Sequence, residues 1–182
     1  METSTPQRIL SSAIEAFAQQ GFLGASVDGV AVAAGVTSSA IRYHFPGKEL
    51  LYVAAVRQAC SNIDSYLLPR IGRMDPGTLA RVPLALLESL AEACTVCPHE
   101  LRLLTTSWIH PVCGAEVRAT IADLRLERVI QACCQGAGGH ARWLFVRAVL
   151  IGWVLANLEG RVRSGDAEQM VQMLNEGLSA HA

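Results

Sequence analysis

Charge of either sign is scarce in this chain. Only 17% of its 182 residues are charged, and 15 Lys and Arg stand against 16 Asp and Glu, for a net charge of −1. Such a chain carries no bulk field that would gather a polyanion, so any contact with nucleic acid must rest on local placement of charge. Long apolar runs are also missing. The longest uncharged one, 148–156, is far short of the ~20 residues a bilayer helix needs, so no membrane span is expected. The first residues, METSTPQR, are polar and lead straight into an amphipathic pattern, which excludes a secretory leader and points to a cytoplasmic protein. Its six cysteines are then expected to be reduced thiols rather than a disulfide framework. Motifs of catalysis are equally thin: there is no G-x-x-x-x-G-K cradle, no G-x-S-x-G elbow and no His-Glu pair at metalloprotease spacing, which argues against an enzyme, the rival class. Finally, alternating strand patterns, internal repeats and low-complexity tracts are absent.

What is present is apolar residue at three and four spacing along almost the whole chain, the mark of an all-α protein. Hydrophobic residues make up 51% of it, more than a small monomer needs for its own interior, so a subunit interface or a ligand cavity is expected to take up the surplus. Helix signals are clear near the N-terminus. Thr5 reads as an N-cap with Pro6 at the first helical position, followed by a stripe of Leu10, Ala13, Ile14 and Phe17 and a stop at Gly21. A short second helix begins behind Ser26, carries Val27, Val30, Ala31 and Ala34, and ends at Gly35, while Gly29 inside it costs about 1 kcal/mol relative to alanine. The third helix has Thr37 as N-cap, a staple of Val36 on Ile41, and Pro46 as its stop. A longer helix follows from Lys48 to about Arg70, then a turn at 75–77 and helices over 78–93, 99–109, 115–134, 140–163 and 166–178.

Two short helices joined by a tight turn at Gly35, with another packed behind, is the pattern of a helix-turn-helix, whose second member lies in the DNA major groove. With Ile41 and Phe45 inward, the ~100° helical step turns Ser39 and Tyr43 outward, flanked by Ala40 and Arg42. Arg42 is then placed to grip a guanine edge or a phosphate, with Thr37, Ser38, Ser39 and the Tyr43 hydroxyl as further donors. Lys48, in the first turn of its helix, adds its ammonium to free backbone N–H groups and forms a candidate phosphate clamp. Residues 1–52 hold Arg8, Arg42 and Lys48 against Glu2, Glu15, Asp28 and Glu49, so the unit is neutral to slightly acidic and its non-specific affinity should be modest. A packed hairpin with its polar groups in water remains the plainer alternative.

The run RILSSAIEAFAQQGFLGASVDGVAVAAGVTSSAIRYHFPGKELL, from Arg8 to Leu51, resembles the DNA-binding region of the TetR family of bacterial transcriptional regulators. The matching features are Phe17 to Phe22, the AxxAGV of Ala31 to Val36, and YHFPGKELL from Tyr43. That resemblance implies a homodimer of all-helical subunits, usually a repressor, with an N-terminal three-helix domain over 1–51 and a C-terminal helical ligand-binding and dimerisation domain over 52–182. It also implies Thr37, Ser38, Ser39, Arg42, Tyr43, His44 and Lys48 as DNA contacts, double-stranded operator DNA and a small hydrophobic effector as partners, and no cofactor. Arg42 stands where the family most often has tyrosine, so its base preference should be unusual.

Beyond Leu51 the residues speak for themselves. The segment 143–158 is apolar on nearly every side and needs protein cover all round, which a second subunit would supply; Gly152 and Ala156, four apart, would admit a close helix. Together with Met170 and Leu174 on the last helix, Ile151, Gly152, Leu155 and Ala156 are the candidate dimer contacts, against the alternative of a monomer's core helix. For a ligand, the candidates are Cys60 and Ile63, Thr105, Trp108, His110 and Cys113 around a proline break, and Phe145, although Trp108 reads as well as core and His110 as a cap. Cys94 and Cys97, followed by His110 and Cys113, have the look of paired metal ligands. A straight helix between the pairs would hold them roughly 15 Å apart, against ~2.3 Å from ligand to zinc, which disfavours the metal. A thiol-redox sensor, or a DNA-binding protein that senses nothing, stays as the alternative.

Overall fold

The computed structural model describes residues 4–71, 84–109, 114–124, 127–128, 131, 134, 139–163 and 165–179. Among these the chain is helical with no strand: α1 Thr5–Gly24, α2 Val27–Ala34, α3 Ser38–His44, α4 Lys48–Ile71, α5 Leu84–Val96, α6 Pro98–Ile109, α7 Gly114–Ala122, α8 Gly139–Leu158 and α9 Asp166–Ser179. Contacts divide the chain into two compact units, one of Met1–Asn62 with His99–Ile121, the other of Ile63–Pro98 with Ala122–Ala182. The division falls within α4.

The first unit is built on local punctuation. Ser4, not Thr5, is the N-cap of α1, because its amide donates to the Gln7 side chain at 3.2 Å, a reciprocal pairing that leaves Thr5 inside the first turn with Pro6. Gly21 breaks the helical backbone at φ +69°, after which the chain makes one more turn to Gly24. The buried stripe of α1 is Ile9, Ala13, Ile14, Phe17 and Ala18; Leu10, one residue off that stripe, is half-buried. Ser26 caps α2 by accepting from the Gly29 amide at 3.0 Å, and a Cβ on Gly29 would lie 3.0 Å from that same hydroxyl. The glycine that weakens a short helix thus makes room for its cap. Gly35, at φ +63°, ends α2 in the left-handed conformation that other residues resist. There the Arg8 guanidinium reaches across from α1 to cap the helix, donating to the Ala34 carbonyl at 2.6 Å.

Behind α1 an aromatic cluster joins α4: Tyr52 meets Phe17 and Phe22 edge-on at 5.0 and 5.2 Å between ring centres. Its hydroxyl is buried against the Ser107 hydroxyl of α6 at 2.7 Å, so the polar tip is satisfied inside the unit. Leu51, Val56 and Leu103 complete this core.

In the second unit α8 turns Val146, Leu150, Trp153 and Val154 inward, an i, i+4, i+7, i+8 stripe, and the Trp153 indole donates to the Leu87 carbonyl of α5 at 3.3 Å. Leu86, Leu87 and Leu90 of α5 and Leu174 of α9 are buried in the same core. The continuous helix expected over 115–134 does not form. Described backbone leaves α7 at Ala122 and bends at 123–124.

Candidate nucleic-acid interface

The helix α3 is seven residues long and buries a single side chain, Ile41. Everything else on it faces outward or lies at the rim. Thr37 caps it, accepting from the Ala40 amide at 3.2 Å, and its hydroxyl pairs with that of Ser39 at 2.9 Å. These two exposed hydroxyls therefore start the helix as one hydrogen-bonded unit. Tyr43 is 85% exposed, with its ring edge-on to the exposed His44 imidazole at 5.1 Å. A tyrosine so open, on a helix that small, has no packing role and presents its hydroxyl to whatever meets the surface. Thr37, Ser39, Arg42, Tyr43 and His44 thus all lie open on two turns of chain, with Ser38 half-buried among them.

Two details were not legible beforehand. Ser38 and Arg42, four apart and so on one face of α3, both turn to Asp28 in the first turn of α2: the Ser38 hydroxyl donates to Oδ1 at 2.5 Å, and an Arg42 guanidinium nitrogen stands 3.9 Å from the same atom. Lys48, expected as an open phosphate clamp, is half-buried. Its ammonium lies 4.7 Å from the Phe22 ring centre and donates to the Leu23 carbonyl at 3.4 Å, which draws the charge back onto the end of α1. Only the spacing of Asp28 before Ser38 could have hinted at the first contact, and no local rule connects positions ten apart across a turn.

The expected effector residues are less coherent. Cys60 and Ile63 are buried on α4. Thr105 is buried too, but its hydroxyl donates back to the Leu101 carbonyl of its own helix at 2.9 Å, so it is satisfied without a ligand. Trp108 belongs to α6, though its side chain falls outside the described residues, as do His110 and Cys113 altogether. Phe145 is 48% exposed on α8. Of the dimer candidates, Ile151, Leu155, Ala156 and Met170 are half-buried and Gly152 is exposed with open space around it, whereas Leu174 packs inside its own subunit. As for the thiols, Cys94 is buried and its proton points to the Val154 carbonyl at 3.7 Å. Burial pushes its pKa up to about 11, which keeps it a thiol and disfavours the redox reading.

A family model described as bacterial regulatory proteins of the tetR family matches residues 9–55, the whole of the helix-turn-helix just described. The N-terminal quarter of the chain is thus similar to the DNA-binding region of the TetR family. The HTH-type transcriptional regulator RutR of Escherichia coli K12 is 43% identical to this chain over 61 residues, which are 34% of this chain and 27% of RutR. The chain therefore spans about a quarter of the length of the curated relatives it matches. Solved TetR-like structures extend the likeness of fold over nearly everything. A family member from Streptomyces coelicolor A3, SCO1917, superposes with a TM-score of 0.71 at 21% identity, covering 96% of this chain and 98% of its own. The multidrug binding protein EbrR complexed with imidazole gives a TM-score of 0.66 at 22% identity, with 96% and 95% covered.

Proposed function

We propose that this chain is a cytoplasmic, dimeric transcriptional regulator of the TetR type, most simply a repressor, that binds operator DNA through residues 1–51 and answers a small hydrophobic effector through residues 52–182. The observation that carries the reading is α3: a helix with one buried residue and a continuous exposed row of hydroxyls, a guanidinium and a phenol, made to insert in a groove. Thr37, Ser38, Ser39, Tyr43 and His44 supply phosphate and base-edge contacts, Arg42 reads a guanine, and Lys48 holds a phosphate once drawn off Phe22. EbrR, similar in fold, has been solved with imidazole and with proflavin, which supports small-molecule response as the role of the C-terminal helices here. The open Leu144 and Phe145 of α8 and Met173 of α9 support the dimer, in which these helices pair across a two-fold axis.

Selection of bound sequences from random duplexes at fixed salt tests this. A pseudo-palindrome with half-sites one turn apart, roughly 34 Å, is the expected result, and a featureless pool from folded protein refutes it. In the same assay Arg42→Ala should relax preference at one base pair per half-site, while Lys48→Ala should weaken every duplex alike.

A further inference from the structure

We infer that Asp28 is a specificity-determining residue: one carboxylate oxygen, shared by the Ser38 hydroxyl and the Arg42 guanidinium, aims Arg42 at a base and withholds it from the phosphate backbone. The inference rests on the DNA-binding reading above and deepens it.

Asp28 lies outside the helix that enters the groove and is bound into it at two points. Ser38 and Arg42 are one helical turn apart, so a single carboxylate from α2 spans both, anchored by the short Ser38 bond at 2.5 Å and leaning on Arg42 at 3.9 Å. Neither charged side chain is buried, at 75% exposed for Asp28 and 65% for Arg42, so the pair does little for stability. Its effect is on binding. An arginine presents five N–H donors in a rigid fork; with one nitrogen facing Asp28, the other edge stays free and its direction is narrowed. Guanine O6 and N7 can be gripped by that free edge while the Asp28 contact is kept. Phosphate is different: a guanidinium that swings to the backbone leaves Asp28 behind, and the carboxylate then faces a polyanion without its partner. The acidic group therefore weakens sequence-independent attachment more than attachment at the right base. That fits a reading head whose few cations, Arg8, Arg42 and Lys48, all have intramolecular partners: Arg8 caps α2, Arg42 faces Asp28, and Lys48 sits on Phe22.

The test compares wild type, Asp28→Asn, Arg42→Ala and the double variant by selection from random duplexes and by titration of the selected and a scrambled duplex over a range of salt. Asparagine keeps an acceptor for Ser38 and removes only the charge. Affinity for the scrambled duplex should rise by ~10-fold in Asp28→Asn, with the slope of log affinity on log salt steeper by about one phosphate contact, while affinity for the selected duplex rises less. Discrimination should accordingly fall, and the enriched pool should lose information at the base pair that Arg42→Ala also blurs. In the Arg42→Ala background Asp28→Asn should leave discrimination unchanged. Equal gains on both duplexes, or the same loss of discrimination with Arg42 absent, would overturn the role of Asp28 while leaving the regulator intact. Wild-type protein that enriches no sequence would overturn the DNA-binding reading, and this inference with it.

Discussion

The reading helix α3 and the long helix α8 present different surfaces. Around the first, α1 and α2 put Ile9, Ala13, Ile14, Phe17, Val30, Ala31 and Ala34 inward, Ser4, Ser26 and Thr37 start the helices they precede, and α3 is left mostly polar, although Leu23 and Val32 stay open on α1 and α2. The second is 20 residues long and buries one stripe, while its Leu144 and Phe145 are about half exposed and Met173 of α9 is 66% exposed. By length and composition alone α8 would suit a bilayer, yet it carries Arg142 and Arg147 and packs its inner stripe against α5 through Trp153. The contrast separates a helix, α3, whose open side is polar from a helix, α8, that leaves large apolar side chains half open.

That contrast can be attacked at several points. The largest effect should come from Phe17→Ala, which empties the centre of the Phe17, Phe22 and Tyr52 cluster and should cost about 4 kcal/mol in thermal or urea unfolding. A loss under 1 kcal/mol would mean that the reading head does not depend on its own core. Next, Leu144→Glu with Phe145→Glu places two carboxylates on the open face of α8. Sedimentation should show the dimer weakened by ~100-fold with the subunit still folded, because the charges would be buried only on association. An unchanged dimer would put the interface elsewhere.

Gly35→Ala should be milder, at about 2 kcal/mol: alanine resists φ +63°, and its Cβ would lie 2.8 Å from the Arg8 guanidinium that caps α2. Circular dichroism melts would detect it, and Arg8→Ala should reproduce part of the loss. The smallest effect concerns Glu127 in the second unit, a buried carboxylate that accepts the Trp143 indole proton at 2.8 Å with its other oxygen unbonded. Burial raises its pKa, only partly offset by the Arg147 guanidinium and the indole. The folded chain then holds a proton where the unfolded chain releases it, so stability falls as pH climbs from the ordinary carboxylate range toward the raised value. Glu127→Gln keeps the acceptor and should flatten that decline. A wild-type minus variant difference in Tm that stays constant from pH 5 to 8, taken as roughly bracketing this titration, would contradict it.

Much of the first unit could be read in advance because its signals are local. Ser26 and Thr37 cap the helices they precede, Gly35 closes α2, Ile41 alone goes inward on α3, and Tyr43 goes outward, all within one or two turns of the residue that dictates them. The one-residue shift of the first cap, from Thr5 to Ser4, came from a side chain three positions on. Elsewhere the pattern was right in kind and wrong in extent: the bend at 123–124 interrupts a run whose apolar spacing alone predicts one helix, and Leu174, matched by spacing to a partner helix, is packed within its own subunit.

Helix content, the helix-turn-helix and its exposed row of hydroxyls follow from the chain's own order, since backbone capping and the 3.6-residue period act between near neighbours. The pairing of Arg8 with the end of α2, of Asp28 with Ser38 and Arg42, of Lys48 with Phe22 and of Tyr52 with Ser107 needed the folded molecule. Those partners stand between 10 and 55 positions apart, and only packing of the helices decides which long side chain meets which acceptor.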